Sequence, residues 1–413
     1  MTAGKFSALR SAFSNRNYAI YMGGNCISLI GYWMQRLAVG WLTWETSHSE
    51  FWVGAVAFAE ICPLIFVGPF FGVYSDRFDR KILAIIIQTL MTVQAFILFA
   101  YIWLDMLSIG VLFTLTLVEG VIQAAYQPVR LALIPNLVRK TDLVAAAAFT
   151  AVSFNVARFL GPAIAGVVIS LYSPAWAVLF NAVTYLLIIF AWYFIKLPPT
   201  VETAAPKQSL LRDMRDGMTY IQARPALFSM FLMMTIVALF ARPLTYLLTA
   251  FVGAVYKAGP ETLALFTSAV GVGAVVAGLL LSMHGHTKGL IRNIMLNTLS
   301  TVICMMSFAS IDNIWLAAVL LFGFGYSLTV CTVSSQTLVQ TCVDDAMRGR
   351  VLSLWVAFTR GAPALGVLVI GWFSNHFGLM WPNVVAALLC LCGMLLMVKQ
   401  RKAMRLFFEK NTD

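Results

Sequence analysis

Gly72-Val73-Tyr74-Ser75-Asp76-Arg77-Phe78-Asp79-Arg80-Lys81 is a short charged break between two long apolar runs, residues 52–73 and 82–104. A loop that only oriented a chain in a bilayer would need basic residues alone. An aspartate beside the cationic cluster points to a specific contact. A helix N-terminus is one partner for such an anion, because the helix dipole favours negative charge there. Carboxylates or lipid phosphates are the matching partners for the arginines.

Outward from this break the same pattern repeats. The 413 residues are 61% hydrophobic and 11% charged, where a soluble domain carries roughly 25% charged residues. Most of the surface therefore faces something other than water. A hydrocarbon core needs about 20 apolar residues per helical crossing. Apolar runs fall at 18–44, 52–73, 82–104, 108–128, 144–171, 175–196, 226–256, 262–283, 290–310, 314–336, 350–373 and 380–398. Backbone groups cannot stay unsatisfied in lipid, so each run is a helix or a barrel strand. The runs are too long and too uniformly apolar for the two-residue alternation of a barrel. The sequence predicts an all-α membrane protein of twelve transmembrane helices.

The connections carry opposite characters in turn. Glu45, Glu50, Asp105, Lys257, Glu261 and Asp312 lie on one side, with Lys257 the lone cation. Twenty-three of the 28 lysines and arginines lie in the other connections and at the two ends. The positive-inside rule puts both termini in the cytoplasm. The net charge of +11 is thus an orientation signal, and a nucleic-acid partner is not expected. The first run exceeds a signal-peptide core and is read as a retained helix.

One connection differs. Residues 197–225 open on Leu-Pro-Pro-Thr and continue as a charged amphipathic stretch, Ser209 to Arg224. Arg212, Asp213, Arg215 and Asp216 read as the wet face of a short helix lying along the membrane. This linker divides the chain into an N-terminal six-helix bundle (1–196) and a C-terminal six-helix bundle with its tail (226–413). Arg36 and Arg242 lie 206 residues apart, and Arg158 and Arg360 lie 202 apart. Matching positions in the two halves suggest internal repeats, a recurring transporter design with a substrate site near the midplane.

The loop at 72–81 resembles the signature of the major facilitator superfamily, Gly-x-x-x-Asp-(Arg/Lys)-x-Gly-(Arg/Lys)-(Arg/Lys), with Asp79 in place of the second glycine. Within that superfamily the chain is similar to the branch of enterobactin exporters, macrolide efflux proteins and lysophospholipid transporters. Tyr126-Gln127-Pro128-Val129-Arg130-Leu131-Ala132-Leu133-Ile134-Pro135-Asn136, Arg158-Phe159-Leu160-Gly161-Pro162-Ala163-Ile164-Ala165-Gly166 and Met347-Arg348-Gly349-Arg350-Val351 carry that likeness. It implies the two-bundle facilitator fold, and the Gly161-Pro162 stretch, similar to the antiporter motif, implies export. It also implies that Gly72, Asp76, Arg77, Arg80 and Lys81 act as a conformational gate, with Asp76 beside the backbone amides of Arg348 to Val351. The matching loop of the second half, His284 to Gly289, lacks the aspartate, so such a lock is asymmetric. Pro162 removes a backbone hydrogen bond and Gly161 allows close approach, so Gly161, Pro162 and Gly166 suit either a gating bend or a static kink.

Ionisable residues inside the spans are Arg36, Glu60, Glu119, Arg158, Arg242 and Arg360. Each costs about 2.5–3.5 kcal/mol in mid-bilayer by insertion scales, so such groups face a cavity or a partner. Four cations against two anions suit an anionic or oxygen-rich substrate such as a siderophore. Alternatives stay open: Arg36 reaching the interface, Glu119 paired with Arg158, Glu60 packed as a neutral acid. Arg36, Arg158, Arg242 and Arg360 are the substrate candidates. Glu119 and Glu60 are the candidates for proton coupling.

No Gly-x-x-x-x-Gly-Lys-(Ser/Thr) loop and no His-Glu-x-x-His occurs, and the seven cysteines form no Cys-x-x-Cys pair. Cofactor, metal and catalytic residue are all expected to be none. The sequence predicts a proton-coupled secondary exporter, multi-pass in a bacterial inner membrane. Its partners are a small molecule, protons and membrane lipids, and it is expected to act as a monomer. Drug efflux or lysophospholipid transport is the alternative on this fold. A receptor or membrane enzyme is the rival from another class; it lacks a sizeable extramembrane domain or a nucleophile–base pair.

Overall fold

The computed structural model describes residues 11–75, 78–197, 210–283 and 289–400, with Met404, Phe407 and Phe408 beyond them. Asp76, Arg77, His284 and His286 lie outside the described residues. Six long helices come first: α1 (Arg16–Ser47), α2 (Glu50–Ser75), α3 (Arg80–Trp103), α4 (Ile109–Leu137), α5 (Leu143–Leu171) and α6 (Pro174–Phe194). The linker helix α7 is Leu210–Gln222. Then come α8 (Pro225–Phe240), α9 (Leu244–Ala250, continued as a π-turn through Val255), α10 (Pro260–Met283), α11 (Leu290–Ala309), α12 (Ile314–Cys342), α13 (Asp345–Phe377) and α14 (Met380–Lys399). Among the described residues, eleven helical segments are long and apolar enough to cross a membrane. The 32-residue α1 is long enough, but buried Asn25, Ser28, Gln35 and Thr43 dilute its apolar character.

Side-chain caps define several starts. Asp79 accepts hydrogen bonds from the amides of Lys81 (2.8 Å) and Ile82 (3.1 Å), which caps α3. The aspartate that departs from the family signature is therefore a helix cap, which satisfies amides that the helix itself leaves open. Ser108 caps α4, Ser173 caps α6 ahead of Pro174, and Asn313 caps α12. At the other end of α6, Lys81 Nζ donates to the carbonyl of Ile195 (2.6 Å) and Asn17 to that of Lys196 (2.8 Å). A cation there also complements the negative end of the helix dipole. His48, Asp105, Lys257 and Gly378 all turn with positive φ, so four short connections between antiparallel helices close through left-handed residues.

The contacts divide the chain into two compact units. Unit 1 holds Met1–His48, Ala59–Ala204 and Ala258–Ser268. In it α1 packs on α5 and α6, and α3 packs on α4 and α6. Its core gathers Tyr18, Tyr21, Met22, Ile87, Met91 and Trp192. Gly31 of α1 lies so close to α6 that a Cβ would sit 2.6 Å from Thr184 Oγ1 and 2.9 Å from Asn181 Oδ1. Small residues let backbones approach in this way where lipid gives no hydrophobic drive to association. Unit 2 holds Ser49–Phe58, Ala205–Lys257 and Ala269–Asp413. There α8 packs on α13 and α14, α11 packs on α12 and α14, and the linker helix lies along α13. Its core gathers Leu227, Met230, Met233, Ile291, Leu338 and Trp355.

Candidate functional site

In unit 1 the indole of Trp33 is flanked by two guanidinium groups. Arg36 Cζ lies 4.8 Å from the ring centroid and Arg158 Cζ 5.8 Å from it. Such contacts hold a cation at low solvation without neutralising it. Arg36 also pairs with Glu60, Nε to Oε1 at 3.1 Å. The same oxygen accepts the Tyr32 hydroxyl at 3.1 Å. Arg36 therefore turns inward to a carboxylate rather than reaching away along its helix.

Glu119 is 8% exposed. Its Oε2 accepts from Gln35 Nε2 at 3.1 Å, and Gln35 Oε1 accepts from Asn181 Nδ2 at 2.9 Å. Glu119 is thus held by a neutral amide chain joining α4, α1 and α6, not by Arg158. Asn181 and Gln35 are almost wholly buried, at 0% and 1%. Gly120 brings the backbone of α4 against the carbonyls of Ala59 and Glu60, which keeps the two carboxyl groups on neighbouring turns.

In unit 2, Arg242 falls in a break between α8 and α9, not inside a continuous helix. Pro243 cannot donate a backbone hydrogen bond, and the chain turns through Ala241–Pro243 before α9 begins. Arg242 Nη1 donates to the carbonyl of Thr359 at 2.9 Å. Arg360 follows directly on α13 and is exposed. Arg242 thus meets the backbone of α13 one residue before Arg360, beside a broken helix of the kind that transporters use near substrate sites.

The residues read as a gate are placed as follows. Gly72 lies in the last turn of α2, Arg80 opens α3, and Lys81 is spent on the end of α6. Gly161 abuts the backbone of Ile30 and the Cβ of Trp33, Pro162 is buried beside it, and Gly166 abuts the Cβ of Ala264. Arg348 pairs with Asp345 at 2.6 Å. Arg350 pairs with Asp213 (2.7 Å) and Asp216 (3.5 Å) of the linker helix. The four linker charges therefore do not form one wet face: the aspartates turn to α13, and Arg212 and Arg215 are exposed. Asp344 extends this dock by accepting from the Tyr220 hydroxyl (2.8 Å) and Arg224 Nη2 (3.3 Å), with the Arg224 guanidinium 3.6 Å from the Tyr220 ring centre. Gly217 permits the approach, since a Cβ there would meet Leu354 Cδ1 at 2.9 Å. Sequence reasoning passed over Gln35 and Asn181, whose signal is an uncharged amide inside an apolar run.

This arrangement sets the frame for comparison with known proteins. A family model described as transmembrane secretion effector, of the major facilitator superfamily, matches residues 7–407. The chain belongs to that family. It is 21% identical over 378 residues to the staphyloferrin A transporter of Staphylococcus aureus, covering 90% of this chain and 93% of that protein. It is 25% identical over 333 residues to the enterobactin exporter of Shigella flexneri, covering 80% and 76%. Among solved structures, a bacterial homologue of the human lysosomal transporter Spinster superposes with TM-score 0.73 at 12% identity, covering 99% of this chain and 98% of that one. A D-xylose–proton symporter gives TM-score 0.69 at 16% identity, covering 94% and 98%. The all-α facilitator fold and membership of a small-molecule transporter family are thus established. The protein is a multi-pass membrane transporter.

Proposed function

We propose that this transporter exports a small anionic or oxygen-rich metabolite of the siderophore class by alternating access, coupled to proton entry. The observation that carries the substrate class is the pair of guanidinium groups on Trp33, with Arg242 and Arg360 as the cations of the other unit. Guanidinium groups bind carboxylate and catecholate oxygens in a forked geometry that a lysine cannot match. Glu60 lies on Arg36 where a substrate anion would compete for the same donor. The siderophore names of the two relatives support the same class. Glu119, buried and held by a neutral amide, is the proton carrier of choice, and Glu60 is the second candidate. The Gly161-Pro162-Gly166 stretch, with Gly72, Asp76, Arg77, Arg80, Lys81, Arg348 and Arg350, is proposed to serve the conformational cycle. The distribution of lysine and arginine supports cytoplasmic termini in a bacterial inner membrane.

The test is uptake into inverted membrane vesicles with an imposed pH gradient, using enterobactin and staphyloferrin A as probes. Accumulation that collapses with the gradient, and is lost in Glu119→Gln, supports the proposal. Accumulation indifferent to pH in both proteins removes proton coupling. A second assignment has one observation in its favour. An apolar cleft of about 300 Å³ in unit 2, lined by Phe240, Phe373, Phe377, Trp381 and Leu389, would suit an acyl chain. Movement of a lysophospholipid, with neither siderophore carried, would select it.

A further inference from the structure

Below Glu119, unit 1 contains a column of polar groups set in its core. On α4, Glu119, Gln123, Tyr126 and Arg130 fall at i, i+4, i+7 and i+11, one face of the helix. At 1.5 Å per residue that face extends about 16 Å, toward the end of the bundle that bears the basic loops. From α6, Tyr185 and Trp192 enter the column, one and three turns on from Asn181. From α1 come Tyr21 and Asn25, and from α3 Gln88. Tyr185 lies within electrostatic reach of both Glu119 and Tyr126. The Tyr126 hydroxyl is surrounded by Tyr21, Gln88, Trp192 and the Arg130 guanidinium. Tyr21 in turn donates to Asn25 Oδ1 at 3.3 Å.

Seven of these residues carry a polar atom with no well-formed hydrogen bond. The hydroxyls of Tyr126 and Tyr185, Gln88 Oε1, Gln123 Oε1, Asn25 Nδ2, Trp192 Nε1 and Arg130 Nε are buried without a well-formed hydrogen bond, with Tyr21, Gln88 and Trp192 near the Tyr126 hydroxyl and Asn181 near that of Tyr185. An orphaned buried polar atom costs about 1–3 kcal/mol, so a purely structural column would be filled better by phenylalanine and leucine. Polar groups so placed are bridged by internal water, each molecule taking two to four such partners.

We propose that this column is the route by which protons pass between Glu119 and the basic-loop end of unit 1. The route rests on the coupling role of Glu119 given above. In each transfer an O–H breaks as a new O–H forms on the neighbouring water or tyrosine toward the basic-loop end. Each tyrosine passes its own proton on and takes one from the side of Glu119. The Glu119 O–H breaks first, leaving the carboxylate, and bulk water takes the proton at the far end; a pH jump drives the same steps in reverse. Arg130 stays charged throughout and shapes the field at that end. The groups facing Glu119 itself are Gln35, Arg36 and Tyr32 from α1, Glu60 from α2 and Tyr185 from α6.

The experiment is a pH jump on the full-length protein in lipid nanodiscs, followed by time-resolved infrared spectroscopy. The carbonyl band of protonated Glu119 is assigned by its loss in Glu119→Gln. Tyr126→Phe and Tyr185→Phe keep the ring packing and should slow the appearance of that band about tenfold or more while leaving its pH midpoint in place. Tyr193→Phe, on an exposed side chain, should match the unaltered protein. Unchanged rates in both column variants would overturn the route while leaving coupling intact. A shifted midpoint with unchanged rates would mark a packing role and overturn it equally. Absence of any band lost in Glu119→Gln would remove the coupling role, and the route with it.

Discussion

Replacing Gly120 by alanine separates packing from function at the carboxyl pair more sharply than replacing either glutamate. A Cβ at Gly120 would lie 2.7 Å from the Ala59 carbonyl oxygen and 2.8 Å from that of Glu60. Ordinary contact begins near 3.4 Å, so α4 and α2 must part locally by about 0.7 Å. Neither obstacle is a side chain that can swing aside; both are backbone of α2. Glu60 sits on that displaced backbone. Its Oε1 is held by Arg36 and Tyr32 at 3.1 Å each, close to the 3.2 Å upper end of the usual range, so the shift leaves no slack. Overpacking of this kind costs about 1–3 kcal/mol. Gly23→Ala is the control, since nothing lies within 4 Å of a Cβ there; it should be neutral or stabilise by up to about 1 kcal/mol. Equilibrium unfolding in mixed micelles reads the stability, and vesicle uptake of the probe substrates reads the function. Gly120→Ala should lose stability and transport while Gly23→Ala loses neither. Equal stability of the two variants would refute the close approach of α4 to α2, and with it the placement of Glu60.

Three further outcomes are expected. Asp79→Ala should cost about 1 kcal/mol through the lost cap on α3, measured in the same unfolding experiment, while Asp79→Asn should retain most of it. Arg350→Gln leaves Asp213 and Asp216 of the linker helix without their cation; these groups are partly exposed, so undocking becomes easier by roughly 1 kcal/mol. Proteinase K should then cut the linker helix about fivefold faster, and an unchanged rate would argue against the dock. The third concerns pH. Burial, reinforced by the Asp344 carboxylate and partly offset by the Asp344 amide and Arg224, raises the Tyr220 hydroxyl above its ordinary pKa. A raised pKa in the docked state means that the contribution is complete below the ordinary tyrosine range and is lost as pH rises through the raised value. Linker cleavage should therefore stay flat from neutral to mildly alkaline pH and rise only beyond the ordinary tyrosine range, with that rise absent in Tyr220→Phe.

Long apolar runs and alternating charged breaks made the helical membrane fold legible, because lipid removes the water that would otherwise satisfy a backbone. The charged candidates for the site were legible for the same reason: Arg36, Glu60, Glu119, Arg158, Arg242 and Arg360 stand out where charge is costly. Their partners were not. Glu119 sits on Gln35 rather than Arg158, a choice made by the rotation of three helices that no spacing along one helix encodes. Gln35 and Asn181 look like incidental polar residues until burial shows that they have no water to fall back on. Asp79 appeared as a departure from a family signature, and local geometry makes it a cap. The linker misled in a different way. Alternating Arg and Asp at 212–216 reads as a solvated face when the helix is considered alone. The cation at Arg350 lies more than 130 positions along the chain and draws the two aspartates to α13, partly exposed as they remain.

The two arginine sets differ in a way that bears on how a charged substrate is handled. Arg36 is held by a carboxylate, Glu60, whereas Arg242 is held by a backbone carbonyl, that of Thr359. A carboxylate partner can be exchanged for a substrate oxygen, and its own charge then has to be neutralised or solvated. A carbonyl partner carries no net charge, so a substrate can share the guanidinium without displacing it. On the proposed function, a substrate oxygen at Arg36 competes with a carboxylate, and one at Arg242 meets a backbone carbonyl of α13. Glu60 and Glu119 belong to the same unit and lie within electrostatic reach of one another. On the same proposal, substrate entry at unit 1 is linked to proton entry through the carboxylate that Arg36 holds.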